Sequence, residues 1–237
     1  MKTILLKFSG PLQSWGTSSS FETRHTDLYP SKSAVIGLVA ASLGYRRDDD
    51  IQIQRLNSLK FAVRCDQRGE LLRDYHTAKK YKKNGELDTT YVTNRYYLSD
   101  AIFMVTIGHE DPEYVETIAE GLSNPYFQTF MGRRALPLTA DYFLGVFDSD
   151  VVSLLKEYPW QASNYYRNAI TTSDQLSIYT DWTSAVDGKR VGYRRDRVIS
   201  FSQKGRSFSF RTEMEIKTKA PNLPSILEHD AFAVLGD

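Results

Sequence analysis

The segments KTILLKFSGPLQSWG (residues 2–16) and PSKSAVIGLVAASLG (residues 30–44) decide the fold. The first begins with a short apolar run, which is typical of a buried strand, and a Ser-Gly-Pro triplet ends that run. The second has apolar residues at helical spacing and serines that can cap the helix N-terminus. Its last residue, Gly44, can adopt the left-handed backbone conformation that commonly ends a helix. A strand over residues 2–8 and a helix over residues 34–43 are therefore predicted, and together they form the first half of a βαβ-type unit.

The loop after this strand and the start of this helix are the first candidate binding site. Backbone N–H groups at a helix N-terminus point outward and can hold an anion. We therefore predict that the region binds phosphate or splayed bases, using Gln13, Ser14, Trp15, Lys32 and Ser33. For Trp15 two roles remain open, a core anchor at the edge of the sheet or a platform on which a base stacks.

The distribution of charge is more informative than its sum. The 237 residues carry a net charge of +1, but residues 187–219 contain 10 Lys or Arg against 4 Asp or Glu. Residues 73–97 contain 6 against 3, with five tyrosines interleaved. Basic stretches with aromatic side chains suit a surface that follows a phosphate backbone, and an ordinary solvated face is the alternative.

Other classes of protein are disfavoured by composition and motifs. The length of 237 residues fits one large domain or two small ones, and a hydrophobic fraction of 41% is enough for a sizeable core. The lone Cys65 excludes a disulfide within the chain. There is no P-loop, dinucleotide fingerprint or nucleophile elbow, and the four histidines are scattered, so neither a metal nor a cofactor is expected. With no signal peptide or membrane-length apolar run, we expect a cytoplasmic protein without a membrane partner.

The rest of the chain predicts further strands and helices around a protruding hairpin. Asn84-Gly85 is a strong hairpin turn signal, and its polar flanks predict an exposed arm over residues 73–97. Strands are predicted over residues 59–65, 101–107 and 142–147, helices over 111–122 and 150–158, an irregular segment over 161–173, and a small antiparallel sheet or subdomain from 175–180, 190–201 and 207–217.

Two kinds of RNA chemistry are compatible with these residues. Gly132 lets a backbone approach a phosphate, and the adjacent Arg133 and Arg134 can clamp it, although a pair of surface salt bridges is the alternative. Metal-free RNA cleavage needs a base, a proton donor and a cation. Two sets of side chains could supply them, namely Tyr75, His76 and Lys79, or His25, Tyr29 and Lys32.

Four blocks of sequence resemble the CasD proteins, the fifth-numbered CRISPR-associated family within the RAMP superfamily. The N-terminal signature of that family is similar to residues 6–16 and 29–33, with Gly37 in the helix. Three further blocks resemble the version found in type I-E Cascade, namely FAVRCD (residues 61–66), LRDYHT (residues 72–77), and Gly132-Arg133-Arg134 followed by Pro137-Leu138. The resemblance runs in order over residues 1–147 and is looser in the last third.

The resemblance implies an α+β fold, with an RRM-like, ferredoxin-type βαββαβ domain, an inserted thumb hairpin and a C-terminal antiparallel β extension. The arm at residues 73–97 falls where the thumb is expected, so the RRM-like domain would occupy residues 1–147 and the extension residues 148–237. The function implied is that of a non-catalytic RNA-binding scaffold that holds the 5′ repeat-derived tag of the CRISPR RNA. Its implied partners are the CasC backbone subunit, the large CasA subunit and, through the assembled complex, target DNA.

A metal-independent endoribonuclease that processes repeat RNA is one alternative function, and an assembly module whose contacts are mainly protein–protein is another. In one branch of the family a related subunit cuts RNA with Tyr, Lys and His, whereas in type I-E a separate subunit, CasE, does so. This chain has no adjacent Lys-His pair, and we therefore predict no catalytic residues. The residues predicted to contact RNA are Gln13, Ser14, Trp15, Arg24, Lys32, Ser33, Arg73, His76, Lys79, Lys80, Arg95, Gly132, Arg133 and Arg134.

Overall fold

A computed structural model describes residues 1–17, 22–169, 175–181 and 189–221. The strands are β1 (Lys2–Ser9), β2 (Leu12–Gln13), β3 (Thr23–Arg24), β4 (Lys60–Gln67), β5 (Glu70–Tyr81), β6 (Leu87–Ser99), β7 (Ile102–His109), β8 (Phe143–Asp148), β9 (Gln175–Asp181), β10 (Lys189–Ser200) and β11 (Ser207–Lys219). The helices are α1 (Lys32–Ser42), α2 (Asp50–Arg55), α3 (Pro112–Ser123), α4 (Val151–Glu157) and α5 (Asn164–Ala169), with a short 3-10 turn at Leu56–Ser58.

The main sheet has seven strands in the order β10-β11-β9-β4-β7-β1-β8, and all neighbours are antiparallel. Both faces of its middle are covered, which explains why β1 and β7 are apolar almost throughout. Ile4, Leu6 and Phe8 face the cluster that includes α1 and α3 side chains, whereas Leu5 faces the cluster formed with α4. The predicted strands at residues 2–8 and 101–107 are confirmed: β1 ends one residue later than predicted, and β7 begins one residue later and ends two residues later.

Side-chain caps set the start of three helices. The Ser31 hydroxyl accepts the Ala34 N–H at the start of α1, two residues before the predicted first turn, and Asp111 and Asp150 cap α3 and α4 in the same way. Gly44 has φ +78°, as expected for the left-handed position that ends a helix. None of the helices in the described ranges combines the length and the hydropathy needed to cross a membrane.

A second sheet carries the arm. Strand β6 pairs with β5, β2 and β3, so that the ends of the hairpin are tied to the loops after β1. The hairpin is confirmed and is longer than predicted, since its strands have 12 and 13 residues. Its turn lies at Asn84-Gly85, where Gly85 has φ +86° and Lys82 N–H donates to the Glu86 carbonyl.

The last third differs from the prediction in two respects. Strand β9 pairs with β4, with Ala62 opposite Thr180, so β9–β11 continue the main sheet instead of forming a sheet of their own. The segment predicted to be irregular contains α5, which the Ser163 hydroxyl caps by accepting the Tyr166 N–H. That helix was missed because its six residues are too few for an apolar period; residues 170–174 lie outside the described residues. The fold is thus a mixed α+β fold with antiparallel sheets, apart from the short parallel pairing of β3 with β6.

Candidate nucleic-acid interface

Three arginines meet where β3, β6 and the loop at residues 130–137 come together. Arg24 on β3 is paired in register with Arg95 on β6, and the Arg133 Nη2 donates to the Arg24 carbonyl at 3.0 Å. The Arg133 guanidinium lies over the ring of Tyr97, 4.4 Å from its centroid. Because Arg95 and Tyr97 are two residues apart on one strand, both side chains lie on the same face of the second sheet. We call Arg24, Arg95 and Arg133 the arginine cluster.

The loop that carries Arg133 is clamped onto the backbone of Ser14. Ser14 N–H donates to the Met131 carbonyl at 3.3 Å, and Met131 N–H donates to the Leu136 carbonyl at 2.8 Å. Gly132 has φ +81°, and a Cβ there would lie 1.6 Å from the Ser14 carbonyl oxygen. Only glycine fits this position, so Gly132 acts by setting the close approach that brings Arg133 to Tyr97.

Two donors of the arginine cluster have no acceptor. Arg95 Nε and Arg133 Nη1 are buried, and neither has a hydrogen-bond partner within the described residues. A buried donor without a partner carries a free-energy cost of about 1–3 kcal/mol, and such atoms are rare in native proteins. Phosphate oxygens are suitable acceptors for guanidinium groups, and Arg134 beside them is exposed.

The arm presents the other basic candidates on its surface. His76, Lys79 and Lys80 are exposed, and Lys80 pairs with Asp88 at 3.0 Å. Arg73 is also exposed, and its Nε donates to the Asn94 Oδ1 at 2.9 Å. Since side chains alternate along a strand, Lys79 shares one face of the arm with Tyr75, and His76 and Lys80 occupy the opposite face.

The first predicted site is mostly interior. Gln13 is 0% exposed, and its Nε2 donates to the Ala101 carbonyl at 2.7 Å. Trp15 is 1% exposed, stacks on Phe8 and donates from Nε1 to the Gln13 Oε1 at 3.0 Å, so of its two open roles it takes that of a core anchor. Ser14 is 3% exposed and acts through its backbone. The burial of these side chains is at odds with the prediction that they contact RNA.

The helix start is already occupied by the protein's own carboxylates. The Asp196 Oδ2 accepts the Lys32 N–H at 2.9 Å, and the Lys32 Nζ pairs with Asp181 at 2.7 Å. Ser33 is 9% exposed, and its hydroxyl lies 3.3 Å from that of Ser31. The predicted anion site at the N-terminus of α1 is therefore occupied by the carboxylate of Asp196. Asp196 lies 164 residues from Lys32 in the sequence, so no local pattern indicates this contact.

A buried charge network surrounds that helix start and joins it to β10 and β11. Arg211 donates to Asp196 and Glu213 at 2.6 Å each, and Arg194 pairs with Asp27 at 2.7 Å. Tyr29 donates its hydroxyl to Glu213 at 2.8 Å, and burial raises the pKa of Tyr29 well above its usual value. The phenol therefore stays protonated, which argues for a structural role for Tyr29.

Tyr97, Tyr96 and His25 are absent from the residues predicted to contact RNA, although His25 belongs to one of the cleavage sets and both tyrosines are counted in the arm. The His25 and Tyr96 rings are stacked with their centroids 5.5 Å apart, on the face of the second sheet opposite to Arg95 and Tyr97. Their proximity follows from the parallel pairing of β3 with β6, across about seventy residues of sequence, for which the chain offers no local signal.

Comparison with known proteins defines the class. The chain matches the family model described as CRISPR-associated protein (Cas_Cas5) over residues 3–212, and it belongs to this family of CRISPR-associated proteins. It is 34% identical over 191 residues to the CRISPR system Cascade subunit CasD of Escherichia coli (strain K12), a match that covers 74% of this chain and 85% of that protein.

Solved structures support the same assignment. One chain of a CRISPR RNA-guided surveillance complex has a TM-score of 0.76 and 34% identity, covering 92% of this chain and 91% of that chain. A second, described as the crystal structure of a Cas protein, has a TM-score of 0.67 and 30% identity, covering 94% of this chain and 99% of that chain. The likeness to these two structures therefore extends over more than nine-tenths of the chain.

Proposed function

We propose that this chain is a non-catalytic RNA-binding scaffold subunit of a CRISPR Cascade complex, as its similarity to the Cascade subunit CasD implies. We infer a ferredoxin-type βαββαβ unit from the succession β1, α1, β4, β7, α3 and β8 and from the strand order β4-β7-β1-β8. This order supports an RRM-like domain with the arm inserted between its second and third strands.

The arginine cluster is the observation that carries the proposal. Its two buried donors without acceptors in the described residues lie on the face of the second sheet that carries Tyr97, and the stacked pair His25 and Tyr96 lies on the opposite face. We infer that a phosphate of the 5′ repeat-derived tag of the CRISPR RNA accepts hydrogen bonds from Arg95 and Arg133, and that a splayed base stacks nearby. Such guanidinium–phosphate bonds would satisfy the two donors that have no acceptor among the described residues.

The arm has the composition of an interface with two partners. Tyr75, Tyr81 and Leu87 are each more than half exposed and lie on one face, whereas the opposite face carries His76, Lys80 and Asp88. Exposed aromatic and aliphatic side chains of this kind are typical anchors of a protein interface. We therefore infer that the arm acts as a thumb between the RNA and the CasC backbone subunit, with CasA and target DNA engaged through the assembled complex.

The geometry disfavours the endoribonuclease alternative. Tyr75 and His76 are consecutive on β5, so they lie on opposite faces of the arm and cannot both reach one phosphate. In the other set Lys32 is buried in a salt bridge with Asp181, and Tyr29 donates to Glu213. Neither set of three side chains converges on a common point.

Binding of a tag RNA tests the proposal. We expect Arg133→Ala to weaken binding of a synthetic 5′ tag RNA and to make the dependence of log K on log salt shallower by about 0.7, the value for one phosphate contact with a single strand. Lys156→Ala, which removes an exposed charge from α4, is the control for loss of a single positive charge. Equal affinity and slope in the two variants would refute the role of the arginine cluster, and specific cleavage of the RNA in EDTA would refute the non-catalytic assignment.

A further inference from the structure

The arm joins the main sheet through a two-residue break in each of two neighbouring strands. Strand β4 pairs with β7 up to Gln67, and β5 begins to pair with β6 at Glu70. Residues 68–69 and 100–101 lie between the two ladders, so the pairing is interrupted at the same level in both strands. Hinges in proteins are formed by a few residues at the ends of such elements, and we call residues 68–69 and 100–101 the hinge.

The backbone of the hinge is closely packed and unusual in conformation. Asp100 has φ +54°, in the left-handed region that residues other than glycine adopt only rarely. A Cβ at Gly69 would lie 2.7 Å from the Ser99 carbonyl oxygen and 2.8 Å from the Ala101 Cβ, so the two halves of the hinge touch. A rare backbone conformation persists where the surrounding contacts hold it in place.

One buried side chain, Gln67, supplies such a contact. Its Nε2 donates to the Asp100 carbonyl at 2.6 Å. Its Oε1 accepts the N–H of Ser163 at 3.0 Å and the hydroxyl of Ser163 at 2.9 Å. Gln67 is only 4% exposed, so these hydrogen bonds are shielded from water. The carboxamide therefore ties one half of the hinge to the segment that contains Ser163.

That segment, residues 158–166, is anchored to the end of β4. The Trp160 Nε1 donates to the Asp66 carbonyl and the Gln161 N–H donates to the Asp66 Oδ2, each at 2.7 Å. Asp66 is 1% exposed and pairs with Arg64 at 2.6 Å, so burial and pairing keep its carboxylate in one position. We call residues 158–166 the strap.

The strap also contacts the backbone of the hinge directly. The Tyr166 hydroxyl accepts the Arg68 N–H at 3.1 Å. Strand β6 is held by β2 and β3 as well as by β5, whereas β5 has β6 as its only neighbour among the described strands. The strap therefore supports the side of the arm that the second sheet leaves without a neighbour.

We propose that the strap sets the angle at which the arm leaves the main sheet, with Gln67 as the positioning residue. The 12-residue strand β5 is about 40 Å long, so a rotation of about 15° at the hinge moves the tip of the arm by about 10 Å. A small change in the contacts between the strap and the hinge is thus amplified into a large displacement of the exposed tip.

Pulsed electron paramagnetic resonance on the full chain tests the hinge, because it measures the distance from the tip of the arm to α3. Spin labels are attached at Lys83→Cys in the tip and Glu120→Cys on α3, both exposed positions, in a Cys65→Ala background. We expect Gln67→Ala to widen or shift the distance distribution by at least about 5 Å relative to the parent. The measurement uses no RNA, so its outcome and that of the tag-binding experiment are independent results.

Gln161→Ala is the matched control, because it removes the same type of side chain from the strap, one whose Nε2 donates to the Pro159 carbonyl within the strap itself. Equal distributions in Gln67→Ala and Gln161→Ala would overturn the proposal, as would a parent distribution already as wide as that of Gln67→Ala. If Gln67→Ala does not fold, Tyr166→Phe takes its place, because it removes only the acceptor of the Arg68 N–H. A distribution in Tyr166→Phe that is the same as in the parent would then overturn the proposal.

Discussion

Replacing Gly132 by alanine should uncouple the loop at residues 130–137 from Ser14. At φ +81° an L-residue is strained by roughly 1–2 kcal/mol. The added Cβ would also lie 1.6 Å from the Ser14 carbonyl oxygen, and relieving an overpacked contact typically costs about 1–3 kcal/mol more. We therefore expect Gly132→Ala to lower the free energy of unfolding by about 2–5 kcal/mol, or to displace the loop and with it Arg133.

The arm supplies a matched control for this substitution. Gly85 has φ +86°, and nothing lies within 4 Å of the position of its Cβ. Gly85→Ala therefore carries the same backbone strain and the same change in unfolded-state entropy, without the clash. Urea denaturation gives the difference between the two variants, and binding of the 5′ tag RNA reports the position of Arg133. If Gly132→Ala is within about 0.5 kcal/mol of Gly85→Ala and binds tag RNA normally, the clamp on Ser14 does not position Arg133.

Two further predictions concern the arm and the single cysteine. Deleting residues 78–87 and closing the strands with a short turn should leave the melting temperature of the protein nearly unchanged, because this tip is exposed. The same deletion should abolish co-purification with CasC and CRISPR RNA. Co-purification of the deletion variant at normal stoichiometry would show that the arm is dispensable. Burial raises the pKa of the Cys65 thiol from 9.0 to about 12, so its contribution to stability is complete below pH 9 and is lost as the pH rises toward 12. Melting temperatures from pH 8 to 11 should fall less steeply in Cys65→Ala than in the parent, and parallel curves would contradict this.

The elements of the fold were predictable where one physical cause acts locally. The runs at β1 and β7 are apolar because helices cover both faces of the sheet there, and Asn84-Gly85 fixes the hairpin because Gly85 must adopt a positive φ. The site was harder to predict, because its contacts join distant segments. Nothing near α1 in sequence indicates that Asp196 fills its N-terminus, and nothing near Arg133 indicates that Tyr97 lies beneath it.

In this chain the structural arginines differ from the candidate binding arginines in having carboxylate partners. The number of positive charges in a segment does not make this distinction. Arg194 and Arg211 lie in the basic segment 187–219, but each is held by at least two carboxylates of the buried charge network. Arg195 and Arg197 are exposed and have no such partners in the described chain, and Arg133 has none there either. A count of charges along the sequence adds both groups together. The same segment therefore stabilises the sheet with one set of arginines and leaves another set exposed.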